Sequence, residues 1–268
     1  MIPLGGAATL TPRTSRSPRE ATLRLIPHLV LVLSALLGGL SLIGFGLFLA
    51  VGPLEFVSLQ LMPGTALAWD AALCLVFFVQ HSSMIRRPFR ARLGRVVPVF
   101  YHAAVYSIAA GAALLPLLGL WQHSNVVLLS VEGPLRWVLR GLFLATGPVF
   151  LWAIRALGSF DTFGLEPIRA HLRSTMPRSL SLAIRGPYRW VRHPLYSLFL
   201  VMLWASPDVT ADRLLFAVLF TGWIVLATVL EERDLVQDLG DPYREYQRQV
   251  PMLVPWRLPA RAGNGGVA

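Results

Sequence analysis

The sequence predicts an all-α integral membrane protein of about six transmembrane helices, the last two paired as a C-terminal helical hairpin. Composition is the first reason. Of 268 residues, 55% are hydrophobic and only 14% charged, and the mean hydropathy of +0.59 lies well above that of a soluble domain. The second reason is length. Apolar runs at 25–51, 65–82, 98–120 and 135–154 each approach the roughly 20 residues a helix needs to cross a bilayer. The third is charge placement. All 24 basic residues are arginine, and they gather in alternate connections.

Taken in order, residues 1–24 form a tail carrying Arg13, Arg16, Arg19 and Arg24. The run at 25–51 is too long for a signal-peptide core and has no evident small-residue cleavage site, so it reads as a retained span. Arg86, Arg87, Arg90, Arg92 and Arg95 follow the second run, and Arg155 to Arg192 supply seven more after the fourth. The connections 52–64, 122–134 and 206–212 contain no arginine. Six spans with both termini cytoplasmic satisfy the positive-inside rule. The shorter runs 195–205 and 214–230 flank SPDVTAD, a turn sequence, and are expected to span as a hairpin. The chain then divides into the tail, a four-helix membrane region at 25–154, a C-terminal core at 155–256, and a disordered tail at 257–268. The net charge of +10 belongs to this topology rather than to a nucleic-acid surface. Cys74, inside an apolar run, has no disulfide partner and is expected to pack in the core.

Chemistry-bearing residues concentrate in RGPYRWVRHPLYS, 185–197, where Pro194 marks a helix start and His193 its cap. A helix N-terminus is an anion site. The segment LEERDLVQDLGDPYREYQRQVPMLVP, 230–255, sets Glu231 and Glu232 at the mouth of the last span. The hairpin brings these acids near Arg192, His193 and Tyr196. Two readings stand: a structural Glu–Arg pair locking the hairpin, or a polar pocket with cationic and anionic walls suited to a zwitterion.

GPYRWVRHPLY followed by EERDLVQDLGDPYREYQRQVP resembles the C-terminal pattern of the isoprenylcysteine carboxyl methyltransferase superfamily: G-x-Y-x-x-x-R-H-P-x-Y, E-E-x-x-L, F/L-G-x-x-Y-x-x-Y and V-P. FFVQHSSMIRRPF at 77–89, GSFDTFGLEPI at 158–168, the stretch 193–218, and PMLVP at 251–255 are similar to the bacterial methanethiol S-methyltransferase and NnrU-like branch. The resemblance covers about 65–256. It implies a membrane methyltransferase using S-adenosyl-L-methionine in a cytosol-facing pocket within 155–256. Leu180, Ser181, Leu182 and Ala183 would form a strand-like wall; Tyr188, Arg192, His193, Pro194, Leu195, Tyr196 and Glu232 would contact the cofactor. Arg192 and the helix start would take the methionyl carboxylate, Glu231 the amine or the acceptor, and Tyr188 and Tyr196 would pack around the sulfonium. His193 or Glu231 would accept the acceptor's proton.

Three departures bear on the acceptor. Ala227 replaces the arginine that prenylcysteine enzymes carry four residues before Glu231, which argues against a prenylcysteine carboxylate; Ser197-Leu198 stands where a glycine usually follows the motif tyrosine; and His102-Ala103-Ala104 replaces an acidic-basic pair upstream of Tyr106. The expected reaction is S-methylation of a small membrane-permeant thiol such as methanethiol. The alternatives are a lipid or isoprenoid acceptor, or a non-catalytic NnrU-like protein of nitrogen-oxide metabolism.

His81 and Asp70, ionisable groups in the second span, are the candidate substrate-side residues. His81 and His102 as haem ligands are the weaker reading. Asp161 and Phe163 in SFDTFG are expected either to close over the pocket or to shape a turn. No metal-ligand spacing, phosphate loop or nucleophile elbow occurs in the sequence, and besides the bilayer and a small substrate no partner is implied.

Overall fold

The structure, a computed structural model, describes residues 18–158, 161–175, 183–260 and 263–264. Five helices are long and apolar enough to cross a membrane: α1 (Pro18–Val51), α2 (Pro63–Ile85), α4 (His102–Gly119, led in by a 3₁₀ turn at Val99–Tyr101), α5 (Gly133–Leu157) and α8 (Ala211–Leu239). The short α3 (Arg87–Leu93) and α6 (Leu165–Leu172) lie in the arginine-rich connections, and α9 (Asp241–Gln249) follows α8. Proline at the first helical positions of α2, α5 and α9 pre-sets the backbone angle where no N–H is needed. Gly158, at φ 73°, ends α5 in the left-handed conformation.

The hairpin differs from its expected form. Its first arm, α7 (Pro194–Trp204), has 11 residues, a rise of about 16 Å, roughly half the hydrocarbon core. Trp204 Nε1 donates to Thr221 Oγ1 at 3.0 Å, which sets the end of α7 ten residues, or about 15 Å, below the start of α8. The chain covers the remaining depth in extended form. Ala205, Ser206 and Pro207 are buried, and the carbonyl of Pro207 accepts from the Val131 amide at 2.9 Å. Then β3 (Asp208–Thr210) pairs antiparallel with β1 (Val127–Ser130). Non-helical backbone at this depth is tolerated because protein covers it and supplies hydrogen bonds. The apolar run at 195–205 has the composition of a span without its length. The second arm is longer than its apolar run, because α8 continues through the charged EERDLVQDL segment.

The arginine distribution is also less one-sided than the connections suggest. Arg136 and Arg213 sit in the first turns of α5 and α8, on the arginine-poor face. Arg136 NH1 donates to Asp208 Oδ1 at 2.8 Å, and this guanidinium holds the Asp208 carboxyl below its ordinary range. Arg213 donates to the Leu49 carbonyl at the end of α1. Arg140 stacks over Trp137 at 5.9 Å.

The core is aromatic: Phe45, Phe48, Phe77, Phe78, Trp121, Phe216 and Phe220 pack from α1, α2, α8 and the α4–α5 connection, with Cys74 among them. Leu29, Leu36, Ile43, Leu144 and many other large apolar residues stay exposed, as a lipid-facing surface requires. Small residues let α1 and α4 approach closely, the usual solution where lipid removes the hydrophobic drive between helices. A Cβ on Gly111 would sit 2.7 Å from the Leu37 carbonyl oxygen, and one on Gly38 would sit 2.6 Å from the Phe163 ring.

We expect Gly111→Ala to destabilise the protein by about 1–3 kcal/mol through overpacking of α1 on α4. Gly222→Ala, which meets nothing within 4 Å, should be neutral. Thermal unfolding of both variants in detergent checks the difference.

Candidate active site

The polar centre is assembled from both sides of the hairpin. Gly186, at φ 55°, lets the chain turn tightly against α5, where a Cβ would lie 2.9 Å from that of Ala156. A 3₁₀ turn at Gly186–Arg189 follows. The amides of Arg192 and His193 then donate to the carbonyls of Pro251 and Met252 at 2.9 and 3.2 Å, and Ser197 Oγ donates to the Leu253 carbonyl at 2.7 Å. The V-P-M-L-V segment thus lies alongside the R-H-P segment and fixes its direction.

Arg192 is fully engaged inside the protein. Its Nε and NH2 donate to the two oxygens of Glu232 at 2.6 and 2.8 Å, and NH1 donates to the carbonyls of Gln247 and Val250. Glu232 also accepts from His193 Nε2 at 3.2 Å, Gln247 Nε2 at 3.0 Å and Tyr243 OH at 3.4 Å. Tyr246 OH donates to the Tyr188 carbonyl at 2.6 Å. Burial pushes the Tyr243 and Tyr246 phenols up, so both act as neutral donors. Through these bonds Glu232 ties α8 to α9 and to the segment that leads into α7.

Glu231 faces elsewhere. Tyr196 OH donates to Glu231 Oε2 at 2.8 Å, and the other carboxylate oxygen accepts no hydrogen bond among the described residues. The His193 side chain does not cap α7, and among the described residues no side chain accepts the first-turn amides of that helix, the groups through which a helix start can bind an anion.

Tyr196 also lines an apolar cavity of about 240 Å³ enclosed by α1, α2, α4, α7 and α8, with Phe45, Phe77, Phe199, Phe220 and Trp223 in its wall. Its polar groups gather toward the arginine-rich face. Tyr106 and His81 line it there, with Tyr106 OH 2.5 Å from His81 Nε2, while His81 Nδ1 is buried with no partner among the described residues. Phe163 closes the cavity from the α5–α6 connection. Its carbonyl accepts from Ser34 Oγ at 2.5 Å, and Gly164, at φ 67°, passes so close to Ala103 that a Cβ would lie 2.3 Å from its backbone. Asp161 shapes this turn by accepting the amides of Leu165 and Glu166 at 3.0 and 2.8 Å.

Of the candidates read from sequence, Tyr196, Glu231 and His81 come together around the cavity mouth. Arg192, His193 and Glu232 form the adjoining knot. His193 turns toward Glu232, its ring stacked on Tyr196 at 5.5 Å, and is absent from the cavity wall. Tyr188, Pro194 and Leu195 pack with α5. Ala183 begins a two-residue strand paired with Asn264, whereas Leu180, Ser181 and Leu182 lie outside the described residues. Asp70 does not join the site. It is eleven residues from His81 along α2, about 16 Å toward the opposite face, where Oδ1 accepts the Gln122 amide at 2.9 Å. His102 bonds the Val97 carbonyl at 3.0 Å, and the described residues hold no cluster of three metal-ligating side chains.

Sequence reading missed Trp223, which donates to Ser82 Oγ at 3.0 Å and packs edge-on to His81 at 5.1 Å. Its place eight residues before Glu231, just over two turns, was the available signal.

Five membrane-length helices around an apolar cavity, joined through Tyr196 to Glu231, define the class: a multi-pass, all-α membrane protein. The chain is 36% identical to a methanethiol S-methyltransferase of Pseudomonas sp. over 229 residues, 83% of this chain and 86% of that one. It is 38% identical to the methanethiol S-methyltransferase of Mycobacterium tuberculosis over 194 residues, 72% and 80% of the two chains. This chain belongs to the methanethiol S-methyltransferase family and is a membrane methyltransferase, an activity that requires a methyl donor. It is also 29% identical to nurim of Rattus norvegicus over 63% of this chain and 68% of that protein. No protein-family model and no solved structure matches it.

Removing one partner of a buried, fully bonded ion pair leaves the other uncompensated. Glu232→Ala and Arg192→Ala should each cost about 3–5 kcal/mol, and the double variant less than their sum. Arg192→Lys should not restore the loss, because an ammonium cannot reproduce the two-pronged pairing. Unfolding midpoints of the four variants in detergent test this.

Proposed function

We propose that the protein transfers a methyl group from S-adenosyl-L-methionine to a small thiol, with methanethiol, the substrate in its relatives' name, as an acceptor. The observation that carries this reading is the joining of an apolar cavity to an unspent carboxylate through one residue, Tyr196. The residues suit a zwitterionic donor. The open helix start at His193 would receive its carboxylate, and the free oxygen of Glu231 would receive its amine or lie beside its sulfonium. When bound, the donor supplies a methyl group on a sulfonium centre whose sulfur is the leaving group. The protein's own task is orientation and exclusion of water.

A thiol is a poor nucleophile until it loses its proton. We assign proton acceptance to His81, which lines the cavity and is held there by Tyr106. This assignment moves the base from His193, whose Nε2 is committed to Glu232. By the positive-inside rule the arginine-rich face is cytoplasmic, which sets the donor pocket and both termini there in the cytoplasmic membrane. The bilayer and a membrane-permeant acceptor are the partners this reading requires.

Purified protein incubated with methyl-labelled donor and methanethiol should form dimethyl sulfide. Absence of donor binding would sink the enzymatic reading, and transfer only to lipid would replace the acceptor. His81→Ala should lower kcat by about 10²-fold or more with donor affinity unchanged, and Glu231→Gln should weaken donor binding. Isothermal titration with the donor separates the two effects.

A further inference from the structure

The cavity is larger than methanethiol needs. We propose that it accepts thiols bearing a four-carbon to benzyl-sized group in preference to methanethiol, an inference that rests on the cavity being the acceptor site. Its volume is about 240 Å³, whereas an engineered apolar cavity of about 150 Å³ is filled by benzene. It is also deep. Tyr196, Phe199 and Leu203 line it along α7, seven residues or about 10 Å from the polar end. Beyond Tyr196 the wall of α7 and α8 is apolar: Phe199, Leu203, Phe220, Trp223 and Ile224. The Ser41 hydroxyl is spent on the Gly38 carbonyl at 2.9 Å.

Such a site favours an acceptor that holds its sulfur at the polar end and fills the remainder with hydrocarbon. Methanethiol leaves most of this space without contacts, and its sulfur is free to leave the His81 and Tyr196 end. A larger group restrains the sulfur, which is the orientation effect that speeds transfer. Each added methylene removed from water strengthens binding by about fourfold. The reaction is unchanged and balanced. The acceptor S–H proton passes to His81, the acceptor sulfur forms the new C–S bond, and the donor's S–CH₃ bond breaks with its electron pair retained by the donor sulfur.

The test uses the full chain in lipid nanodiscs with methyl-labelled S-adenosyl-L-methionine and three acceptors: methanethiol, 1-butanethiol and phenylmethanethiol. Methanethiol and 1-butanethiol are simple alkyl thiols of similar acidity, so their ratio reports fit, and the more acidic phenylmethanethiol is read by how its ratio to methanethiol changes in the cavity variants. The expected kcat/KM for the two larger thiols is at least tenfold that for methanethiol. In Ala110→Phe or Leu114→Trp, which place bulk in the cavity wall, the ratio of phenylmethanethiol to methanethiol should fall at least tenfold. Methanethiol turned over as well as or better than the larger thiols by the unaltered protein overturns the inference and leaves the acceptor site standing. No transfer to any thiol removes the acceptor reading itself, and the inference with it.

Discussion

The buried pairing of Arg192 with Glu232 fixes everything at the arginine-rich end of this molecule. An ion pair out of water is stabilising only where its remaining hydrogen-bonding capacity is met. Here it is met on both sides, by two backbone carbonyls on Arg192 and by His193, Tyr243 and Gln247 on Glu232. Backbone bonds from Arg192 and His193 to Pro251 and Met252, and the packing of Tyr243 and Tyr246 on Leu235 and Val236, join the same elements. Helix α7 is 11 residues long and α9 is 9, and neither is long enough to be a stable helix alone. The pairing also orients chemistry that it does not touch. Adjacent residues on a helix point about 100° apart, so anchoring Glu232 in the knot turns Glu231 toward Tyr196 and the cavity. One acid of the E-E dipeptide holds the fold, and its neighbour keeps an oxygen that accepts no hydrogen bond among the described residues.

Hydropathy and arginine placement carried the long apolar helices and the arginine-rich connections between them, because both report the cost of putting polar groups in hydrocarbon, which is local to the sequence. They could not carry the break in the fifth crossing. Whether 205–210 is helical depends on the β1 strand and on the Val131 amide that receives the Pro207 carbonyl, and those partners lie more than seventy residues away. The same limit explains the site. The motif residues Arg192, His193 and Glu232 were legible as a group, but their division of labour was not, since a cation near a carboxylate reads alike whether it awaits a ligand or is already spent. Asp70 and His81 share a helix and a chemical type; only α2's rise separates them, and only Gln122 explains the first.

The half-length α7 has a physical consequence for the site. A full helical span at α7 would continue the row of backbone–backbone bonds through the membrane and present a uniform cylinder to α8. Stopping at Trp204 lets the buried Ala205–Pro207 segment run past the end of α7, while α1 reaches the α7–α8 pair through the Phe45 ring, 5.9 Å from Phe199 and 5.6 Å from Phe220. The cavity lies between these helices, lined by α1 from Gly38 to Phe45 and by α7 from Tyr196 to Leu203.

Its polar lining follows from the same setting. A charge inside the hydrocarbon region is costly unless paired, and the cavity wall accordingly holds a histidine and two tyrosines and no arginine or carboxylate. Glu231 stands behind Tyr196 rather than in the wall, so its charge acts on the cavity through a hydroxyl. Charged groups that would meet a water-soluble donor are thereby kept on one side of Tyr196, and the apolar space that suits a lipid-soluble acceptor is kept on the other. In the proposed reaction an acceptor from the bilayer would meet no ion in the cavity wall, and would meet the donor's chemistry at the boundary where Tyr196, Tyr106 and His81 converge.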